Sequence, residues 1–304
     1  MSMQITDDIR VGDFLVARLG YGAIGLTGPD TWGEPGDPAR ARAVLRRAVD
    51  LGVRLIDTAW YYGPHVTNRI IAEALDPYPK DLVIATKLGV RRTADKGWAP
   101  CARPEELRAR AEDDLRGLRR EVLDVVHFRF MAGSGTPFLE SLDGIIALQK
   151  AGKVRHIALS AVGLTELRQA LERTPIVAVQ NLFNLQGGDG ALARRMHAVV
   201  EEPEGVLALC ESRGIAFLPY LPLGRGQLGA PRPALEAARR RHGATAAQIA
   251  LAWLLARSPV MLPIPGTTSL EHLEENWKAR AVKLSPEEVE AIAREARLTP
   301  ASGG

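Results

Sequence analysis

Short apolar runs and longer stretches of helical period alternate along this chain. The runs at 18–23, 53–57, 82–87, 122–128, 156–160, 176–180, 215–220 and 260–264 read as buried strands. Between them apolar residues recur every three or four positions. Residues 37–51, 103–118, 138–151, 165–171, 191–200, 204–213, 233–242 and 245–256 read as helices. Pro104-Glu105-Glu106 makes a good first helical turn. Gly52, Gly152 and Gly214 each follow a helical stretch and precede an apolar run, as glycines just past a helix end do. The stretch 186–205 is a long connection with room for an extra helix.

This alternation over 304 residues predicts an α/β fold, a (β/α)8 TIM barrel. The runner-up is a doubly wound sheet with an appended domain. No Gly-x-Gly-x-x-Gly opens a helix after the first run, which argues against a Rossmann arrangement. No linker or short repeat breaks the pattern, so one domain over 1–304 is expected, with 1–12 and 299–304 frayed.

Composition narrows the partners. The 39 basic and 36 acidic residues are mixed, and Arg239-Arg240-Arg241 falls on a predicted helix, where a solvated face is expected rather than a nucleic-acid site. No apolar stretch approaches the ~20 residues that span a bilayer, and residues 1–10 hold no signal-peptide core. Cys101 and Cys210 fit neither a metal spacing nor a disulfide framework. A cytoplasmic protein with reduced thiols, no bound metal, no nucleic-acid or membrane partner, and a monomeric or weakly oligomeric state is expected.

The chemistry gathers where the runs end. Asp57, Lys87, His127, Ser160, Gln180 and Tyr220 lie at the ends of successive runs, the end at which barrels place their catalytic groups. Tyr62 follows Asp57 by five residues. Core packing alone would not put six polar residues there. Reducing a carbonyl needs a hydride on carbon and a proton on oxygen. A nearby ammonium lowers a phenol's pKa, so Tyr62 reads as the general acid, Lys87 as its cation, Asp57 as the anion holding Lys87, and His127 as a donor to the substrate oxygen. Asp57 could serve as a helix cap, but its spacing to Tyr62 and Lys87 favours a catalytic role; taken singly, His127 reads equally as a core histidine. Trp60, Trp98 and Phe128 lie just past strand ends and are candidates for the substrate pocket.

The chain resembles the aldo-keto reductase superfamily from about residue 18 to about 298. Leu55-Ile56-Asp57-Thr58-Ala59 followed by Tyr62-Gly63, Ile84-Ala85-Thr86-Lys87, and Asp124-Val125-Val126-His127 carry the likeness. The resemblance implies the same four roles and a nicotinamide cofactor bound without a Rossmann domain, NADPH being expected over NADH. It further implies that Gln180 and Ser160 meet the nicotinamide carboxamide and that Tyr220 stacks on its ring. Gly22, Ala23, Leu221, Leu223, Gly224 and Gly226 would border the cofactor. Ile264, Gly266, Thr267, Thr268, His272, Glu275 and Asn276 would hold its adenosine end, where main-chain N–H groups suit an anion. Two departures stand out. Ser160 is followed by Ala161 where the family often has Asn, and Gly266, Thr268 and His272 occupy places where Lys or Arg often meets the 2′-phosphate. Segments 19–23, 62–68 and 264–267 are most similar to a bacterial branch that includes pyridoxal reductases.

The expected substrate is therefore a small-molecule carbonyl compound, an aldehyde or ketone. Alternatives on the same residues are reduction of an imine, a non-catalytic nicotinamide sensor, and a lyase or isomerase using Lys87 as a Schiff-base amine.

Overall fold

The computed structural model describes residues 7–131, 133–186, 202–226 and 232–298. It begins with a hairpin where fraying to residue 12 was expected: β1 (Asp8–Val11) pairs antiparallel with β2 (Phe14–Ala17). The hairpin is held by burial of Val11 and Val16 and by Asp13 in its turn, which pairs with Arg155 and His156. Residues 1–6 and 299–304 lie outside the described part, as does the helix expected at 191–200.

Next come β3 (Tyr21–Gly22), β4 (Leu55–Asp57) and β5 (Val83–Arg92), followed by the short β6 (Trp98–Cys101). The chain continues through β7 (Leu123–Arg129), β8 (Val154–Ser160), β9 (Ala178–Leu182) and β10 (Ala216–Tyr220). Apart from β6, the strands from β3 to β10 pair in parallel in chain order. Ten helices cover the outside among the described residues: α1 (Pro38–Leu51), α2 (Val66–Leu75), α3 (Pro104–Leu118), α4 (Phe138–Lys150), α5 (Leu164–Arg173), α6 (Pro203–Arg213), α7 (Pro233–His242), α8 (Ala246–Arg257), α9 (Leu270–Lys278) and α10 (Pro286–Leu298). The architecture is the (β/α)8 barrel that the alternation predicts.

The eighth stave differs from expectation. Residues 260–264 form no regular strand, because Pro263 and Pro265 cannot donate to a ladder. The segment still closes the barrel. The Phe217 N–H donates to Val260 O at 2.8 Å, and the Leu262 N–H donates to Phe217 O at 2.8 Å. On its other side, the Gly20 and Gly22 N–H groups donate to Pro263 O and Pro265 O at 2.9 and 3.2 Å. The approach is close enough that a Cβ on Gly22 would stand 2.6 Å from Ile264 O, and one on Gly266 would stand 2.4 Å from Gly22 O. These glycines are thus required by closure itself. The run at 18–23 likewise contributes only two strand residues, since its partner is this irregular segment.

The stretch 88–102, between the run at 82–87 and the helical stretch at 103–118, forms an antiparallel extension, with β6 folding back on the outer half of β5. Arg92 holds it. Its guanidinium donates to Thr31 O at 2.9 Å and Gly97 O at 3.1 Å and lies 4.4 Å from the Trp98 ring. The helices α2 and α10 escaped the periodicity. α2 starts after His65 with no side-chain cap, whereas α10 opens on a Pro-Glu-Glu turn like that of α3.

Candidate active site

Strand alternation decides what faces the barrel mouth. On β5 and β7, Lys87 pairs in register with His127, and Arg129 points the same way two residues on. The Lys87 ammonium donates to both Asp57 oxygens at 2.6 Å and to Thr58 O at 2.9 Å. Gln180 Nε2 donates to Asp57 Oδ1 at 2.7 Å. Lys87 and Asp57 are each 3% exposed, so this pair is shielded from solvent screening. Burial pushes Asp57 above the ordinary carboxylate value, against the pull of Lys87 and Gln180.

A narrow cleft opens over this pair. Tyr61, Tyr62, Trp98 and Tyr220 line it with rings, while Ile24, Leu221 and Ile264 add apolar wall. Tyr61 meets Tyr62 edge-on at 5.3 Å and Trp98 at 5.7 Å between ring centroids. Lys87 Nζ lies 5.1 Å from the Tyr62 ring centroid. Burial pushes the Tyr62 phenol well above its ordinary value of 10.0; Asp57 adds to this and Arg129 opposes it. Arg129 thus adds a second positive charge near Tyr62 beside Lys87, one that the sequence reading did not include. Arg129 also lines the cleft and hydrogen-bonds Tyr220.

Sequence reasoning missed Arg129 and Tyr61. The signal for Arg129 was present: period two puts it on the same face as His127. Phe128 falls on the other face and stacks against Phe138 of α4 at 5.6 Å, so it is not a pocket residue. Trp60 also turns away, with Arg110 of α3 over its ring at 4.8 Å, and Tyr61 takes the wall position. Trp98 does line the cleft.

His127 is fully buried beneath the ion pair and does not line the cleft. Its imidazole packs beside Lys87 and the main chain of Thr86. Burial and the charge of Lys87 push its pKa from 6.5 down to about 3, so the imidazole is neutral at ordinary pH. Between these two values the unfolded chain binds a proton that the native imidazole refuses. Stability should therefore fall as pH drops through that window, by at most ~1.4 kcal/mol per pH unit from this group. Urea melts at pH 7 and pH 5 test it: His127→Gln should lose less stability on acidification than the parent, and equal losses would refute the assignment.

Residues expected at a cofactor sit around the same mouth. Ser160 lies beside Gln180 in register, and its hydroxyl is buried without a partner among the described residues. Gly22, Gln180, Tyr220, Leu221 and Ile264 line the cleft. Ala23 starts a short turn after β3, and Leu223 leads into another at Gly224–Gly226. Ala161 stands in the left-handed region at φ 56°, a conformation that the Asn common in the family tolerates better. In the 264–269 loop, Thr267 O accepts from Tyr21 Oη at 2.6 Å, and Thr268 O accepts from Arg40 Nε at 2.8 Å. A cation thus reaches this loop from α1. His272 N–H is capped by Ser269 Oγ at 3.3 Å. Asn276 is buried. Glu275 accepts from Thr245 Oγ1 at 2.5 Å, which ties it to α8. No group of three or more His, Cys, Asp or Glu among the described residues is placed to hold a metal ion. No helix among the described residues is long and apolar enough to cross a membrane.

A buried lysine–carboxylate pair under a tyrosine, at the C-terminal ends of parallel barrel strands, agrees with what family comparison finds. The aldo/keto reductase family model matches residues 18–296. The chain belongs to the aldo/keto reductase family. This aldo-keto reductase is 44% identical over 287 residues to the pyridoxine 4-dehydrogenase of Escherichia coli K12, covering 93% of this chain and 96% of that one. It is 41% identical over 279 residues to an uncharacterized oxidoreductase of Schizosaccharomyces pombe, covering 92% and 86%. Among solved structures, the thermostable aldo-keto reductase Tm1743, in complex with the inhibitor epalrestat, matches with a TM-score of 0.79 at 29% identity over 96% of this chain and 100% of that one. A Klebsiella pneumoniae aldo/keto reductase in complex with NADP and acetate shares the fold, with a TM-score of 0.77 at 23% identity and 97% coverage of both chains.

Proposed function

We propose that this aldo-keto reductase reduces a small aldehyde or ketone to the alcohol, with Tyr62 donating the proton to the carbonyl oxygen. The observation that carries the reading is the Lys87–Asp57 pair, bonded at 2.6 Å and set 5.1 Å from the Tyr62 ring at the floor of an aromatic cleft. Bound NADPH would supply the hydride. The buried, unpartnered Ser160 hydroxyl beside Gln180 fits a nicotinamide carboxamide, and Tyr220 offers a ring to stack on it. Lys87 and Arg129 set the field in which Tyr62 gives up its proton. The neutral His127 lies buried beside Lys87, behind the cleft lining.

Arg40 at Thr268 supplies a cation near the loop where the family holds the 2′-phosphate, which favours NADPH over NADH. The name of the E. coli relative makes pyridoxal the first aldehyde to try. Turnover is expected with NADPH and pyridoxal or another aldehyde of a panel that includes ketones, quinones and cyclic imines. Arg40→Gln should raise KM for NADPH several-fold and leave KM for NADH nearly unchanged. Cofactor binding with no oxidation across the panel would overturn the enzyme reading in favour of a sensor. Turnover confined to the imines would move the reaction to C=N bonds.

A further inference from the structure

Asp114 lies on the apolar stripe of α3, in line with Leu107, Ala111, Leu115 and Leu118, and is fully buried. A carboxylate in that position carries a desolvation cost that a leucine would not. Its neighbour Asp113 pairs instead with Arg110 and Arg116 at the surface. What Asp114 touches explains its presence. Thr86 Oγ1 donates to Asp114 Oδ2 at 2.7 Å. Asn68 Nδ2 of α2 donates to Asp114 Oδ1, and Thr58 Oγ1 donates to Asn68 Oδ1 at 2.8 Å.

Thr86 and Thr58 are the residues next to Lys87 and Asp57. Successive strand residues face opposite ways, so the ion pair points into the barrel while the two threonines point back into the helix layer. The main chain completes a ring. The Thr58 N–H donates to Ala85 O at 2.7 Å, and Thr58 O accepts from Lys87 Nζ at 2.9 Å. One carboxylate therefore grips both strand ends from behind. Burial pushes Asp114 up to about 7, while the bonds from Thr86 and Asn68, which favour the carboxylate, pull it down.

We propose that Asp114 is a positioning residue for the reaction: through Thr86, and through Asn68 and Thr58, it sets the geometry of the Lys87–Asp57 pair. The inference rests on the reading of that pair as part of the catalytic machinery. A merely structural tie between α3 and the sheet would change stability and leave the chemical step alone.

The test compares Asp114→Asn, Thr86→Val and Thr86→Ser in NADPH oxidation with pyridoxal, with melting temperature and NADPH affinity by fluorescence as controls. Asp114→Asn and Thr86→Val, both close in shape to the parent, should lower kcat roughly 10- to 100-fold. KM and NADPH affinity should stay near parental values. Thr86→Ser keeps the hydroxyl and should restore most of the rate. In a Lys87→Met background Asp114→Asn should add little further loss, because it acts through Lys87. If Lys87→Met is severe but Asp114→Asn and Thr86→Val turn over normally, the positioning role is wrong while the site stands. An equal loss from Asp114→Asn with and without Lys87 would also overturn it. Parental turnover by Lys87→Met would sink the site reading and this inference together.

Discussion

Tyr62→Phe should cut turnover by about 10²- to 10⁴-fold, the contribution typical of a general acid, while NADPH still binds. The change removes one oxygen from a ring packed edge-on against Tyr61 and leaves that contact in place. The phenol is held well above its ordinary pKa by burial, so it enters the reaction protonated. On the proposed reading it gives up its proton in the field of Lys87 and Arg129, which offsets the charge left behind. Phenylalanine leaves that field with nothing to act on. Fluorescence titration with NADPH separates binding from chemistry, and parental turnover in this variant would remove Tyr62 from the mechanism.

Lys87→Met should be as severe for turnover and should also destabilise the fold. Methionine matches the lysine stem but leaves Asp57 buried without its cation. Removing one partner of such a pair costs about 3–5 kcal/mol. Adding Asp57→Asn should restore much of that stability, because the amide carries no charge, yet should not restore activity. Urea melts and NADPH oxidation on the single and double variants check both halves. A double variant no more stable than Lys87→Met would show that the isolated carboxylate is not the source of the loss.

Much of the architecture was legible because its signals are local. Each strand of a parallel barrel is buried on both faces and reads as a continuous apolar run, and several helices, α1 and α5 among them, show an apolar stripe. The errors fall where that logic fails. The 260–264 segment is apolar, but its prolines deny it a ladder. The 88–102 stretch carries Arg91, Arg92 and Lys96 and no apolar run, yet it pairs as a hairpin because Arg92 bonds carbonyls from two separate loops. The first twelve residues look frayed until the side chains that bury Val11 are known.

The site divides in the same way. Asp57, Tyr62, Lys87, Gln180 and Tyr220 were readable because each has a fixed offset from a strand end, and a strand end is visible in one dimension. Trp60 and Phe128 were misassigned because which of two neighbouring residues faces the cleft depends on the face each strand presents. By itself, the sequence determined the repeating strand–helix order and the set of polar groups that gather at one end of the barrel. The tertiary structure alone decided that Gln180 joins the Lys87–Asp57 pair and that Arg129 lines the cleft with Tyr62. It also decided that Asp114 grips both strand ends from behind. Those are relations among residues tens of positions apart, set by side-chain direction and distance, and no local pattern of apolar and polar positions encodes them.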